Sequence, residues 1–265
     1  MPDKEEQSEP EKNLFEGKVA LVTGAGNGVG RACAIAYIRR GAQVVIVDPD
    51  MDTGEETMYR LSQENGGDSF FIQTDLMDPD QAQGMIQQAV ERFGQVDMAC
   101  NCYGSEGPQH LTADYPPDEW RSVIETNLVS TFHAMKYEIR QMLKQEKPGS
   151  IVNIGSILSV VSFPSASPLV TAQHGLIGLT QTAAVEYANR AIRVNTVCQS
   201  FVQTEQLGSQ LNIDQETYNM LVELHPIGRL GKPEEIASAV MWLSSDLASF
   251  VTGSTYYVDG GYLAR

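Results

Sequence analysis

Thr23-Gly-Ala-Gly-Asn-Gly-Val-Gly30 decides how the rest of the chain is read. It follows a short apolar run, Lys18 to Thr23, and opens an apolar-periodic stretch from Val29 to Arg40. Glycines between a strand-like and a helix-like segment let the backbone turn tightly and approach a pyrophosphate, whose charge the helix N-terminal N–H groups hold. The spacing is TGxxxGxG, carried by Gly24, Gly28 and Gly30; a GxGxxG reading fails because its third glycine falls on Val29. Working outward, Gln43 to Asp48 is a second apolar run that closes on a carboxylate. A carboxylate at about this distance from the first glycine accepts hydrogen bonds from an adenosine ribose. It also repels a 2′-phosphate, and neither Asn27 nor Pro49 supplies a compensating cation, so NAD(H) is expected over NADP(H).

The alternation continues to the C-terminus. Helix-like stretches at Gly54 to Glu64, Pro79 to Phe93, Asp118 to Lys144, Pro168 to Ala188, Asp214 to Glu223 and Pro233 to Ser245 separate apolar runs at Ser69 to Gln73, Val96 to Cys102, Ser150 to Ile154, Ile192 to Val197 and Thr255 to Val258. Strands joined through helices mean βαβ units and a doubly wound parallel sheet covered on both faces, an α/β fold. With 265 residues, 42% of them hydrophobic, the chain has the apolar content of one domain. Met1 to Lys12 lacks an apolar stretch and reads as an acidic, disordered tail ahead of a domain spanning residues 13–265.

A net charge of −16 disfavours nucleic acid and anionic membrane surfaces as partners. No apolar run approaches the roughly 20 residues that span a bilayer. The four cysteines, Cys33, Cys100, Cys102 and Cys198, show no CxxC pair and no zinc spacing, so no metal is expected. They read as small buried hydrophobes in a reducing, cytoplasmic compartment.

From about Leu14 onward the sequence resembles the short-chain dehydrogenase/reductase family of the NAD(P)-binding Rossmann superfamily. The residues that carry the resemblance are TGAGNGVG, Asp75-Leu76, Asn101-Cys-Tyr-Gly104 where the family reads NNAG, and Asn127 within ETNLVSTF. Gly149 to Ser156, Arg193-Val-Asn195, Pro226 to Glu235 and Val258-Asp-Gly-Gly261 extend it. The resemblance implies a seven-stranded, Rossmann-like sheet in a single domain and a symmetric homo-oligomer, tetramer or dimer. It places Thr23, Gly24, Asn27, Gly28, Val29, Gly30, Asp48, Asp75, Leu76, Asn101, Gln173, Val202 and Thr204 around the cofactor. Asp75 would meet the adenine amino group and Thr204 the carboxamide.

The catalytic pattern departs from the family. A Ser, a Tyr thirteen residues on and a Lys four beyond would share one cleft, the phenol moving a proton as hydride moves. Ser156 is present, but Leu169 and Gln173 stand where Tyr and Lys would be, and Gln199-Ser200 replace the Pro-Gly after the sixth strand. Ser156, Asn127 and Tyr103 are the remaining catalytic candidates; His110 and His174 read as structural. The residues leave three functions open. The first is NAD-dependent hydride transfer to an activated small-molecule substrate. The others are non-redox chemistry on the same fold and a silent cofactor-binding subunit.

Overall fold

Val19–Thr23 (β1) is apolar at four of its five positions, and all five side chains are buried. Such an unbroken run suits a parallel strand covered on both faces. In the computed structural model, which describes residues 13–204 and 215–265, β1 is joined by β2 (Gln43–Asp48), β3 (Ser69–Gln73), β4 (Met98–Asn101), β5 (Gly149–Ser156), β6 (Ile192–Gln199) and β7 (Thr255–Val258). They form one seven-stranded sheet in the order β3-β2-β1-β4-β5-β6-β7, every pairing parallel. The chain is thus a single-domain, Rossmann-like α/β protein.

The strand order reverses between β1 and β4, where a crevice opens outside the carboxyl ends of the strands. On one face, α1 (Gly28–Arg39) packs over β1 and β2 through Cys33, Ala34 and Tyr37, beside Ile236, Val240 and Met241 of the late helix Pro233–Ser244. On the other, α3 (Pro79–Phe93) contributes Ala82, Met85 and Ile86 to a core shared with Leu21, Val45, Ala99 and Ile151. α2 (Met51–Ser62), between α1 and α3 in sequence, starts on Asp50, whose carboxylate accepts the Thr53 N–H.

The long helix expected from Asp118 to Lys144 is interrupted. It comprises α4 (Pro117–Ile124), a π turn (Glu125–Val129) and α5 (Ser130–Gln145). Inside that wider turn the Ser130 N–H bonds Glu125 O, five residues back, and its hydroxyl bonds Thr126 O. Single π turns inside α-helices recur at functional sites; this one contains Asn127. α6 (Ser167–Tyr187) follows β5. α7 (Gln215–Glu223) and α8 (Pro233–Ser244) follow β6. The expected tail Met1 to Lys12 and the expected helix start at Asp214 lie outside the described residues. No helix among the described residues is long and apolar enough to cross a membrane.

Candidate active site

The glycine turn is packed as a dinucleotide loop requires. Gly24 has φ +61, and a Cβ there would stand 2.8 Å from the Cys102 carbonyl. A Cβ on Gly30 would run into the Gly24 carbonyl, so α1 can begin only beneath a bare backbone. Asn27 is the N-cap residue of α1, yet its side chain makes no capping bond. The first-turn N–H groups are thus not capped by this side chain, and with the helix dipole they suit an anion. Val29 is buried beneath the turn, and Thr204 closes over it, its methyl 3.3 Å from where a Cβ on Gly28 would be. Val202, buried, is held to Gly231 by an isolated bridge.

Asp48 ends β2 with both oxygens in use: one accepts the Gly26 N–H at 2.8 Å, the other the Asp50 N–H at 3.1 Å. Each carboxylate oxygen keeps a further lone pair for a ribose hydroxyl. Burial pushes this carboxyl up, against the two N–H bonds that favour its charged form. The structure corrects one sequence reading here, because a cation does stand near Asp48. Arg31, buried in α1, favours the Asp48 charge. Its guanidinium is held by Glu56 at 3.0 Å, by Thr57 at 2.9 Å through Nε, and by Gly26 O. It buttresses the glycine turn from behind.

Asp75, half-buried after β3, accepts the Met77 N–H at 3.0 Å, and Leu76 is buried with its carbonyl on His133. Tyr103 lies with these carboxylates. Its phenol is raised by burial and then by the charges of Asp75 and Asp48. Tyr103, a catalytic candidate of the sequence, stands half-buried two residues beyond β4.

Thr23 and Asn101 are fully buried beneath the crevice floor. The Asn101 amide donates to Glu138 at 3.1 Å and to Asn153 at 3.0 Å, and accepts the Thr23 hydroxyl at 3.3 Å. Asn153 in turn donates to Thr180, which also takes the Thr196 hydroxyl, each at 2.9 Å. This ladder ties β1, β4, β5 and β6 together under the site. Desolvation raises Glu138 to about 7, and its Oε1 has no hydrogen-bond partner. Glu138 was not singled out in the sequence; a lone Glu on an amphipathic helix carries no sign that it faces inward.

At the other end of the cleft, Ser156 closes β5 half-buried, and its Oγ accepts the Leu158 N–H at 3.2 Å. Gln173, buried on α6, accepts the Ser156 N–H at 2.9 Å through its side-chain oxygen. Leu169, one turn earlier, is half-buried. Asn127 reaches from the π turn to the loop after β4. Its amide donates to Ser105 O and Val123 O, both at 2.9 Å, and accepts the Ser105 N–H at 3.1 Å. His174 is exposed and bonds Val170 O on its own helix. His110 pairs with Glu119 at 2.9 Å, and its N–H bonds Ser165 O, tying the loop after β4 to the segment before α6.

Two convergences were not legible from spacing. The sulfurs of Cys33, Cys100 and Cys102 lie within 4.8 Å of one another, because α1 brings Cys33 over Cys100 of β4 and Cys102 just beyond it. Ser200, the residue after β6, shares a hydrogen bond with His225 Nε2.

A family model described as Enoyl-(Acyl carrier protein) reductase matches residues 24–263. The cyclohexanol dehydrogenase of Acinetobacter sp. (strain SE19) is 37% identical over 96% of this chain and 98% of its own length. The 3-oxoacyl-[acyl-carrier-protein] reductase FabG of Salmonella typhimurium is 37% identical over 93% and 98%. A solved structure from Agrobacterium tumefaciens with bound NADP superimposes with a TM-score of 0.87 at 31% identity, covering 96% of this chain and 100% of that one. The chain belongs to the short-chain dehydrogenase/reductase family of oxidoreductases. That family binds NAD(P), and the α1 N-terminus without a side-chain cap, the bare glycine turn and Asp48 fit the group.

Proposed function

We propose that the chain transfers hydride between NAD(H) and an activated small molecule, such as an iminium, through a site that lacks the family's tyrosine–lysine proton path. It would do so in the cytoplasm, as a symmetric homo-oligomer. The observation that carries this reading is the contrast between the two ends of one cleft. The glycine turn, α1 and Asp48 keep every feature a dinucleotide needs. At the Ser156 end, by contrast, an apolar Leu169 and a neutral Gln173, whose oxygen holds the Ser156 backbone N–H, occupy the positions of the family's tyrosine and lysine.

When bound, the dinucleotide gives up or takes up hydride. The chain's own residues hold and orient. Asp48 selects the ribose diol over a 2′-phosphate by charge, while Arg31 is tied to Glu56 rather than offered to a phosphate. The α1 N-terminus binds the pyrophosphate. Ser156 Oγ, already fixed by the Leu158 N–H, keeps a lone pair that accepts the N–H of a protonated imine. Leu169, with Leu158 and Val161 nearby in the chain, gives the substrate side an apolar wall. Loss of a positioned general acid costs about 10²–10⁴-fold on ordinary carbonyls, whereas an iminium needs no proton on oxygen.

Single-turnover absorbance of bound NADH tests this reading. Oxidation by a cyclic iminium faster than by simple ketones supports it. Bound NADH that no iminium or carbonyl oxidises overturns it.

A further inference from the structure

We infer that Ser200 and His225 form a substitute proton-transfer pair at this site, Ser200 meeting the substrate oxygen and His225 acting through it. The inference rests on the hydride-transfer reading above. Ser200 stands where the family pattern has glycine, and a glycine offers no hydroxyl.

Position comes first. β5 and β6 run side by side to their carboxyl ends, where Ser156 is the register partner of Gln199. Ser200 is the next residue, so it leaves the sheet at the carboxyl edge where α/β ligands lie, directly after the residue opposite Ser156. Thr204, four residues on, stands against Gly28 of the glycine turn. Residues 200–204 therefore run from the Ser156 end of the cleft to the pyrophosphate end. Gly231 N–H to Phe201 O at 3.1 Å and Gln203 N–H to Gly231 O at 2.8 Å fix that run.

Chemistry comes second. His225 is buried, and its Nδ1 lies 2.7 Å from Leu221 O. A carbonyl only accepts, so Nδ1 carries the hydrogen and Nε2 presents its lone pair. That lone pair faces Ser200 Oγ, which donates to it. Phe201 and Tyr262 fix the ring, their centroids 6.1 and 5.5 Å from it. A serine hydroxyl on an imidazole whose other nitrogen is anchored is the arrangement by which proteins activate an O–H.

The resting pair is set to receive a proton, the direction of alcohol oxidation. The substrate C–H bond breaks and its hydride leaves to the oxidised nicotinamide. The substrate O–H proton passes to Ser200 Oγ as the serine proton passes to Nε2, and the C=O bond forms. The imidazolium, its Nδ1–H on Leu221 O, then releases one proton to solvent. Reduction of a ketone reverses each transfer.

The test uses the full chain with simple secondary alcohols and NAD⁺, protonated 1-pyrroline and NADH, and ¹⁵N NMR of the His225 ring. Ser200→Gly should lower alcohol oxidation about 10²–10⁴-fold and lower 1-pyrroline reduction by a far smaller factor, because that substrate needs no proton on oxygen. Ser200→Thr should retain alcohol oxidation. The ring should carry its hydrogen on Nδ1, and Ser200→Gly should shift the Nε2 signal. Three results overturn the pair: unchanged alcohol oxidation in Ser200→Gly, a ring protonated on Nε2 alone, or 1-pyrroline reduction by a chain that oxidises no alcohol. The last leaves the hydride reading standing. Inertness toward both substrates removes that reading and the pair together.

Discussion

The side-chain oxygen of Gln173 accepts the backbone N–H of Ser156 at 2.9 Å. An amide at this position thus anchors the end of β5, a task that requires an acceptor. Gln173→Leu leaves a half-buried N–H without a partner, which costs about 1–3 kcal/mol. At about 2–4 °C per kcal/mol for a domain of this size, the melting temperature should fall by several degrees. Gln173→Glu keeps an acceptor and should lose less. A calorimetric scan of the three proteins checks the order; equal melting temperatures would remove the anchoring role.

Glu138 gives the stability a pH dependence. Its folded pKa is raised by burial to about 7 from the ordinary carboxylate value of 4.5, so the folded state holds this proton more tightly than the unfolded state. The contribution is fully present below about pH 4.5 and is lost as pH rises through about 7. Glu138→Gln removes the titration. Its stability should be flat across that window, exceeding the parent above pH 7 by about 3 kcal/mol at most. Urea unfolding from pH 5 to 8 measures both slopes, and parallel slopes would contradict the assignment.

Burial, and then the charges of Asp75 and Asp48, raise the Tyr103 phenol and make it a poorer proton donor. Tyr103→Phe should therefore change turnover by less than about twofold, where removal of a general acid would cost about 10²–10⁴-fold. Tyr103→Ala should alter NADH affinity instead. Steady-state kinetics and fluorescence titration separate the two effects.

Asp48→Ala should weaken NAD(H) binding and narrow its margin over NADP(H). Calorimetric titration with both cofactors reads the change. Tighter NADP(H) binding by the unaltered chain would sink the preference.

Large apolar side chains remain exposed on α5 and α6 and near the C-terminus: Phe132, Val185, Leu247 and Phe250, the last fully exposed. They suit the homo-oligomer proposed above. Light scattering should give a dimer or tetramer, and Val185→Arg with Phe132→Asp should lower its mass. A monomer of 29.0 kDa from the unaltered chain would refute the assembly.

The glycine turn and Asp48 were legible because both are local: a turn, a helix start and a strand end within one βαβ unit. The strand and helix order was legible for the same reason. The π turn at Asn127 was not, since one inserted residue barely disturbs helical periodicity. Arg31 carried no signal in the sequence, because its partners Glu56 and Thr57 come from another element. Ser200 drew notice only as a departure from a family pattern. Its partner His225 lies 25 residues away on the far side of a helix, where only tertiary packing joins them.

Label transfer from NADH stereospecifically deuterated at C4 tests the central claim most directly. The bound, labelled cofactor is mixed with protonated 1-pyrroline, and the product is read by mass spectrometry. One deuterium should appear on the former iminium carbon from one face of the cofactor and none from the other. Product without deuterium from either face, or labelled NADH recovered intact and still bound, would contradict hydride transfer and leave the fold to non-redox chemistry or to a silent binding role.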